Sequence, residues 1–249
     1  MSDLVGKRAV ITGGGTGIGL ACARRLTEEG IETVLMGRNL DRLEAAASTL
    51  ANARAIGCDV TDDQSVDRAF EACGPVDILV NNAGIAAASA FTRTSMDDWR
   101  RIQAVNVEGL VRCTQAVLGP MLKAHYGRII NIASIAGLRG GAYVAPYVAS
   151  KHAVVGLTKS LSLEFAQTSL TVNAVCPGFV ETQIVEDAIA NIMAKTGRTR
   201  DQALAELAKE NPQGRLIQPD EVAETVAWLC SPRSGSISGQ AITISGGAI

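Results

Sequence analysis

Short apolar runs alternate with stretches of helical periodicity from one end of the chain to the other. The runs at 8–12, 33–37, 53–59, 77–81, 128–133, 171–176 and 241–244 predict seven strands. Helical spacing of apolar positions predicts helices at 20–29, 40–50 and 66–72, and longer ones from about 96 to 124 and about 147 to 165. Runs such as Ile78-Leu79-Val80 are apolar on both faces, as expected of strands covered by helices on each side. Repeated β-α-β units then predict an α/β fold with one parallel, doubly wound, seven-stranded sheet and helices on both faces. There is no linker-like stretch and no internal repeat, so residues 1–249 are expected to form a single domain.

One segment breaks the rhythm. Between the strand ending near Cys176 and the helix starting near Pro219 lies a long excursion, richer in charge than its surroundings. Ile184, Ile189, Ile192 and Met193 predict one helix within it, and Ala203, Leu204, Leu207 and Ala208 a second. An excursion of this length after the C-terminal end of a strand suits a substrate lid, over about residues 181–214.

Composition narrows the class. Hydrophobic residues make up 47% and charged residues 19% of the chain, which fits a folded soluble protein. The formal net charge of -2 gives no reason to expect nucleic acid or an anionic membrane as a partner. Six scattered cysteines form no C-x-x-C pair and read as reduced thiols. The N-terminus lacks a signal-peptide pattern and no apolar run approaches 18 residues, so a cytoplasmic location is expected.

Tyr147 and Lys151 stand four residues apart at the start of a predicted helix, on one face and one turn from each other. An unperturbed tyrosine ionises near pH ~10, too high for proton transfer at neutral pH. A fixed positive charge nearby would favour the phenolate and lower that value. Such a pair carries chemistry only beside a cofactor site. A candidate lies upstream, where strand 8–12 runs into Gly13-Gly14-Gly15-Thr16-Gly17-Ile18-Gly19 and then a helix. Glycines there let backbone N–H groups approach a pyrophosphate, whose charge the helix N-terminus favours. Other chemistries lack their parts: there is no G-x-S-x-G turn and no cluster of metal ligands, and the two histidines, His125 and His152, stand near no candidate nucleophile. His152 follows Lys151 directly and so points away from the Tyr147 face.

Taken in order, Thr12-Gly13-x-x-x-Gly17-x-Gly19, Asn81-Asn82-Ala83-Gly84, Asn106, Ser134, Tyr147-x-x-x-Lys151 and Pro177-Gly178 resemble the short-chain dehydrogenase/reductase family over nearly the whole chain. The resemblance implies a Rossmann-type sheet and transfer of hydride between a nicotinamide cofactor and a ketone or secondary alcohol. It implies Tyr147 as general acid or base, and Lys151 as the group that lowers its pKa and grips the nicotinamide ribose. Ser134 would donate to the substrate oxygen, and Asn106 would anchor a water that relays protons. Gly13, Gly15, Thr16, Gly17, Ile18 and Gly19 would cradle the dinucleotide. Asp59 and Val60 would meet its adenine, Asn82 and Gly84 would line the nicotinamide-side ribose, and Val180 and Thr182 would complete the site. In dinucleotide folds an acid near the end of the second strand binds the ribose 2′-hydroxyl, whereas an arginine accommodates a 2′-phosphate. Here Gly37 takes the place of the acid and Arg38 follows it, which favours NADP(H), with NAD(H) the alternative.

The substrate is less constrained. The stretch 172–182 is similar to ketoreductases of aromatic polyketide synthesis, to 3-oxoacyl reductases and to 3-hydroxyacyl-CoA dehydrogenases. Arg128 fits the basic surroundings expected of a reductase that accepts an acidic carrier protein. The turn Gln167-Thr168-Ser169-Leu170 lacks the arginine of the fatty-acid enzyme, which favours a CoA thioester or a free ketone. Lys195, Arg198 and Arg200 could meet a CoA phosphate, yet Glu186, Asp187 and Asp201 lie nearby and predict a mixed-charge surface. The expectation is NADPH-linked reduction of a 3-oxoacyl thioester or related β-keto compound. Its alternatives are a dehydrogenase of cyclic or other secondary alcohols, possibly NAD-linked, and a non-catalytic dinucleotide sensor. The resemblance also implies a homotetramer, with the weakly polar run 241–249 in an interface; Ser245 stands where relatives often carry an acid.

Overall fold

Seven apolar runs become seven parallel strands in one sheet, in a computed structural model that describes residues 4–249. They are β1 (Arg8–Thr12), β2 (Glu32–Gly37), β3 (Ala53–Gly57), β4 (Ile78–Asn81), β5 (Gly127–Ile132), β6 (Leu170–Pro177) and β7 (Ala241–Ile244), in the order β3-β2-β1-β4-β5-β6-β7. The chain winds outward from β1 to β3, returns to lay β4 on the other side of β1, and winds outward again to β7. Strand order therefore reverses between β1 and β4, and a crevice opens beyond their C-terminal ends.

Helices cover both faces: α1 (Gly17–Glu28), α2 (Leu40–Ala47), α3 (Asp63–Cys73), α4 (Met96–Gln103), α5 (Gly109–Lys123), α6 (Ala145–Glu164), α7 (Gln183–Thr196), α8 (Arg200–Ala208) and α9 (Pro219–Cys230). Alternation along each strand decides which face a side chain joins. Ile11, Leu35 and Val80 pack with Leu26 of α1 and Val226 of α9. Val10, Val34 and Leu79 pack on the opposite face with Phe70 of α3 and Val117 of α5. Ile11, Leu26, Leu35, Ile78, Leu79 and Ile129 are wholly buried. Each such side chain stabilises the fold by roughly 1.5–3 kcal/mol.

Three departures from the predicted elements have local causes. The strand predicted to reach 59 ends at Gly57, because Cys58 donates to Gly37 O (2.8 Å) and Asp59 turns to accept from Thr61 N–H (2.9 Å). Helix α1 begins at Gly17 rather than Leu20, since its first turn is built from glycines that carry no apolar period. The helix predicted as one run from about 96 to 124 contains a π turn, Ala104–Glu108, between α4 and α5. The hydrophobic pattern continues through it, so periodicity alone does not reveal it.

The excursion after β6 contains α7 and α8, whose Val185, Ile189 and Ala203 are buried together with Leu216 from the segment after α8. Its two ends are drawn together. Ile217 N–H donates to Phe179 O and Glu181 N–H to Ile217 O, both at 2.9 Å.

Candidate active site

The crevice between β1 and β4 is floored by the glycine loop. Gly13 and Gly17 adopt positive φ (64° and 53°), which L side chains rarely take. At Gly19 space is the constraint: a Cβ there would lie 2.4 Å from Gly13 O and 2.6 Å from Asn82 Nδ2. The loop is braced from β4. Asn82 Nδ2 donates to Thr12 O (2.9 Å) and Gly13 O (3.1 Å), while Thr12 Oγ1 accepts from the N–H groups of Asn82 and Ala83, each at 3.0 Å. The amide of Asn82 thus holds the loop itself, and Thr12 is its counterpart in β1. No side chain caps the N-terminus of α1, whose cap residue is Thr16. The first-turn N–H groups therefore face the crevice, as an incoming pyrophosphate requires.

The adenosine end is defined by charge. Asp59 is half-buried, and bonds from Thr61 with the nearby Arg38 hold its carboxyl below the usual range. It is an ionised acceptor beside the exposed Arg38. Arg42, which no motif in the sequence marks, lies over the loop: a Cβ on Gly15 would be 3.5 Å from Arg42 Cγ. Neither Arg38 nor Arg42 forms an ion pair among the described residues, although Asp59 acts on Arg38 through space. Two unpaired guanidinium groups beside a dinucleotide loop fit an additional phosphate better than a bare ribose hydroxyl.

At the other end, α6 delivers Tyr147 and Lys151 to the crevice, with Pro146 in its first turn setting the entry. Lys151 is buried, and its Nζ donates to Ile132 O (2.7 Å) from a position 5.7 Å from the Tyr147 ring centre. Burial pushes the Lys151 ammonium down to about 8. Burial also raises the pKa of Tyr147, against the expectation that Lys151 lowers it. Desolvation of the phenolate is the largest cause, and a hydrogen bond with Ser134 opposes it. Ser134 leaves β5 at its C-terminal end, accepts from Ala136 N–H (3.1 Å) and makes a long contact to Pro177 O (3.4 Å). The Cys176 thiol of β6 sits near Tyr147, Lys151 and the Ser134 main chain, although nothing in the spacing of the six thiols marks it.

Asn106 lies in the π turn and is buried. Its side chain is fully occupied: Nδ2 donates to Ile85 O (2.9 Å) and Ser150 Oγ (3.0 Å), and Oδ1 accepts from Ile85 N–H (2.8 Å). Gly84 fills the space between these groups, since a Cβ there would be 3.4 Å from Asn106 Oδ1 and 3.7 Å from Lys151 Nζ. Asn106, Ser134, Tyr147 and Lys151 therefore converge, while the glycine loop, Arg38, Asp59 and Val60 line the other half of the crevice. Thr182 reaches the loop from the start of α7, 3.1 Å from where a Gly17 Cβ would stand.

Arg128 departs from expectation. It is buried at the start of β5, the opposite end of the strand from Ser134, and stacks 4.5 Å from the centre of Tyr126. Its guanidinium donates to Gly127 O, Ser169 O and Ser231 O, so it is held inside the fold and not on a basic surface. In the lid Arg200 pairs with Glu186 (2.6 Å) and Arg198 with Glu206, so these charges answer one another. All six cysteines are free and buried. His152 is exposed and contacts Val148 O (2.9 Å), one turn back on its own helix.

A doubly wound sheet with a glycine loop at its switch point and a Tyr/Lys pair across the crevice defines a dinucleotide-linked oxidoreductase. The chain belongs to the short chain dehydrogenase family, which matches residues 7–192. It is 40% identical to a putative ketoacyl reductase of Streptomyces coelicolor, over 96% of this chain and 95% of that protein. It is 35% identical to the 3-oxoacyl-acyl-carrier-protein reductase FabG of Aquifex aeolicus, over 98% of each. A crystal structure of an actinorhodin polyketide ketoreductase variant with NADPH superposes with a TM-score of 0.95 at 38% identity, covering 100% of this chain and 99% of that one. The chain is accordingly an oxidoreductase acting on a carbonyl–alcohol couple.

Proposed function

We propose that the protein uses NADPH to reduce a 3-oxoacyl thioester or related β-keto compound to the 3-hydroxy product, reversibly. The convergence of Tyr147, Ser134 and Lys151 at the end of a crevice whose other half carries an uncapped helix N-terminus and two unpaired arginines is the observation that supports this most. Bound NADPH supplies the hydride; the chain must orient the ketone and deliver one proton to its oxygen. Ser134 donates a hydrogen bond to that oxygen as a neutral group. Tyr147 gives the proton to that oxygen. Lys151 holds the nicotinamide-side ribose and restores the proton to Tyr147 through a water. Because the Asn106 side chain has three partners already, its main-chain carbonyl in the π turn is the group that holds this water. Arg38 and Arg42 clamp the 2′-phosphate, Asp59 and Val60 receive the adenine, and Val180 and Thr182 complete the cofactor contacts.

Residues 181–214 cover the substrate as a lid on a single domain, and the enzyme works in the cytoplasm as a homotetramer. Among the described residues no helix is long and apolar enough to cross a membrane, and no group of side chains could hold a metal ion. The test is a spectrophotometric assay with acetoacetyl-CoA and NADPH on the wild type and on Tyr147→Phe. The variant should bind NADPH normally and lose turnover by about a thousandfold. Retained turnover removes Tyr147 from this role. Light scattering that shows a monomer at micromolar concentration would contradict the tetramer.

A further inference from the structure

Gly178 to Thr182 leads out of β6, and its geometry is set from the far end of the lid. Asn211 follows α8 and is 1% exposed, yet its amide has every partner it needs. Nδ2 donates to Phe179 O (2.9 Å) and Arg215 O (2.8 Å), and Oδ1 accepts from Phe179 N–H (3.1 Å). One side chain therefore binds both main-chain groups of Phe179 and the exit from the lid at once. The approach is close enough to dictate its neighbour, since a Cβ on Gly178 would lie 2.4 Å from Asn211 Oδ1. Beyond Phe179 the chain pairs with Ile217 as a short parallel bridge at Val180, and two residues later Thr182 meets Gly17 of the glycine loop.

We propose that Asn211 is a positioning residue that couples the lid to the dinucleotide site by fixing Phe179 and, through it, Val180 and Thr182. A buried amide with three protein partners has one arrangement, and removing it leaves Phe179 N–H and Arg215 O without that partner and leaves Phe179 O with Ile217 N–H alone. The segment carrying Val180 and Thr182 then keeps only its bridge to Ile217 and loses the tie to the end of α8, although no atom of Asn211 need touch the cofactor. Movement of α8 reaches the glycine loop by this path, so cofactor binding and lid position influence each other reciprocally. The inference rests on the reading that residues 13–19 and Thr182 hold NADPH.

The test is titration of the full-length protein with NADPH, read by fluorescence, alongside thermal unfolding, for wild type, Asn211→Ala, Asn211→Asp and Gly178→Ala. Asn211→Asp keeps the volume but turns a carboxylate toward two carbonyls, and Gly178→Ala disturbs the same contact from the other side. Each should raise the Kd for NADPH by about tenfold. In Gly178→Ala/Asn211→Ala the two losses should not add, because the atom that the new methyl meets is gone. A merely structural role predicts a lower melting temperature with an unchanged Kd in the folded fraction. That result in any variant that folds, or additive losses in the double variant, overturns the coupling. Wild-type protein that fails to bind NADPH overturns the cofactor reading and the coupling together, whereas normal wild-type binding with unaffected variants overturns the coupling alone.

Discussion

Arg38 and Arg42 approach the crevice by different routes, and only one was visible beforehand. Arg38 directly follows β2, where the path of the chain places its side chain at the adenosine end whatever the next helix does. Arg42 lies inside α2, and its nearness to Gly15 depends on how that helix folds back over the loop, which residue spacing does not encode. If both hold the 2′-phosphate, Arg42→Ala should raise the KM for NADPH by about tenfold and leave that for NADH unchanged. Equal effects on the two cofactors, measured by steady-state kinetics, would place Arg42 outside the phosphate site. Tyr147 shows the same limit from another direction. The four-residue spacing to Lys151 was legible, but the sign of the pKa shift was not, because burial of the ring is a property of the assembled crevice.

Strands were the most legible elements, since a strand covered on both faces must be apolar at nearly every position, as in Ile78–Asn81. The polar exceptions inside them are cross-linked: Asn81 Nδ2 reaches Thr114 and Asn131, and Asn131 Nδ2 reaches Thr158, joining β4 and β5 to α5 and α6. The lid helices were legible from their apolar positions, of which Ile189, Ile192, Ala203, Leu204 and Leu207 pack between them while Ile184 and Met193 are exposed. The π turn was not, and neither was the setting of Arg128. Charge type alone does not say which end of a strand a residue occupies. Position does: a residue that opens a parallel strand lies opposite the loops that form the site. Arg128 instead ties the start of β5 to Ser169 before β6 and to Ser231 after α9. Arg128→Ala should therefore destabilise the fold by about 3 kcal/mol while leaving kcat and both KM values intact. Urea unfolding combined with kinetics checks this, and a selective rise in the KM of a carrier-linked substrate would reinstate the docking role.

Across the whole molecule the buried thiols give stability a pH dependence. Burial raises all six, Cys58 and Cys176 to about 11 and Cys113 and Cys230 to about 12. An unfolded thiol ionises near pH ~8.5, so above that value the unfolded chain binds fewer protons than the folded one. Stability is then intact below about pH 8.5 and falls as pH rises toward 11 to 12, by about 1.4 kcal/mol per pH unit for each proton retained. Lys151, lowered to about 8, has the opposite sign: its folded form releases a proton first, so its penalty shrinks as pH rises. It is one group against six. The urea midpoint should drop between pH 7.5 and 10, by several kcal/mol in stability. A midpoint that holds or rises would show the thiols to be less desolvated than the fold implies.

The excursion after β6 closes on itself before it reaches α9. Because Glu181 and Ile217 are bonded to each other, everything between them is an insert whose ends already meet. Changing the length of such an insert costs little, about 0.6 kcal/mol per doubling, and leaves the sheet where it was. On the proposed reading that insert is also what selects the ketone. The molecule thus separates into a fixed sheet and an insert whose middle is free to vary, provided that Thr182 at its start and Asn211 near its end keep their contacts.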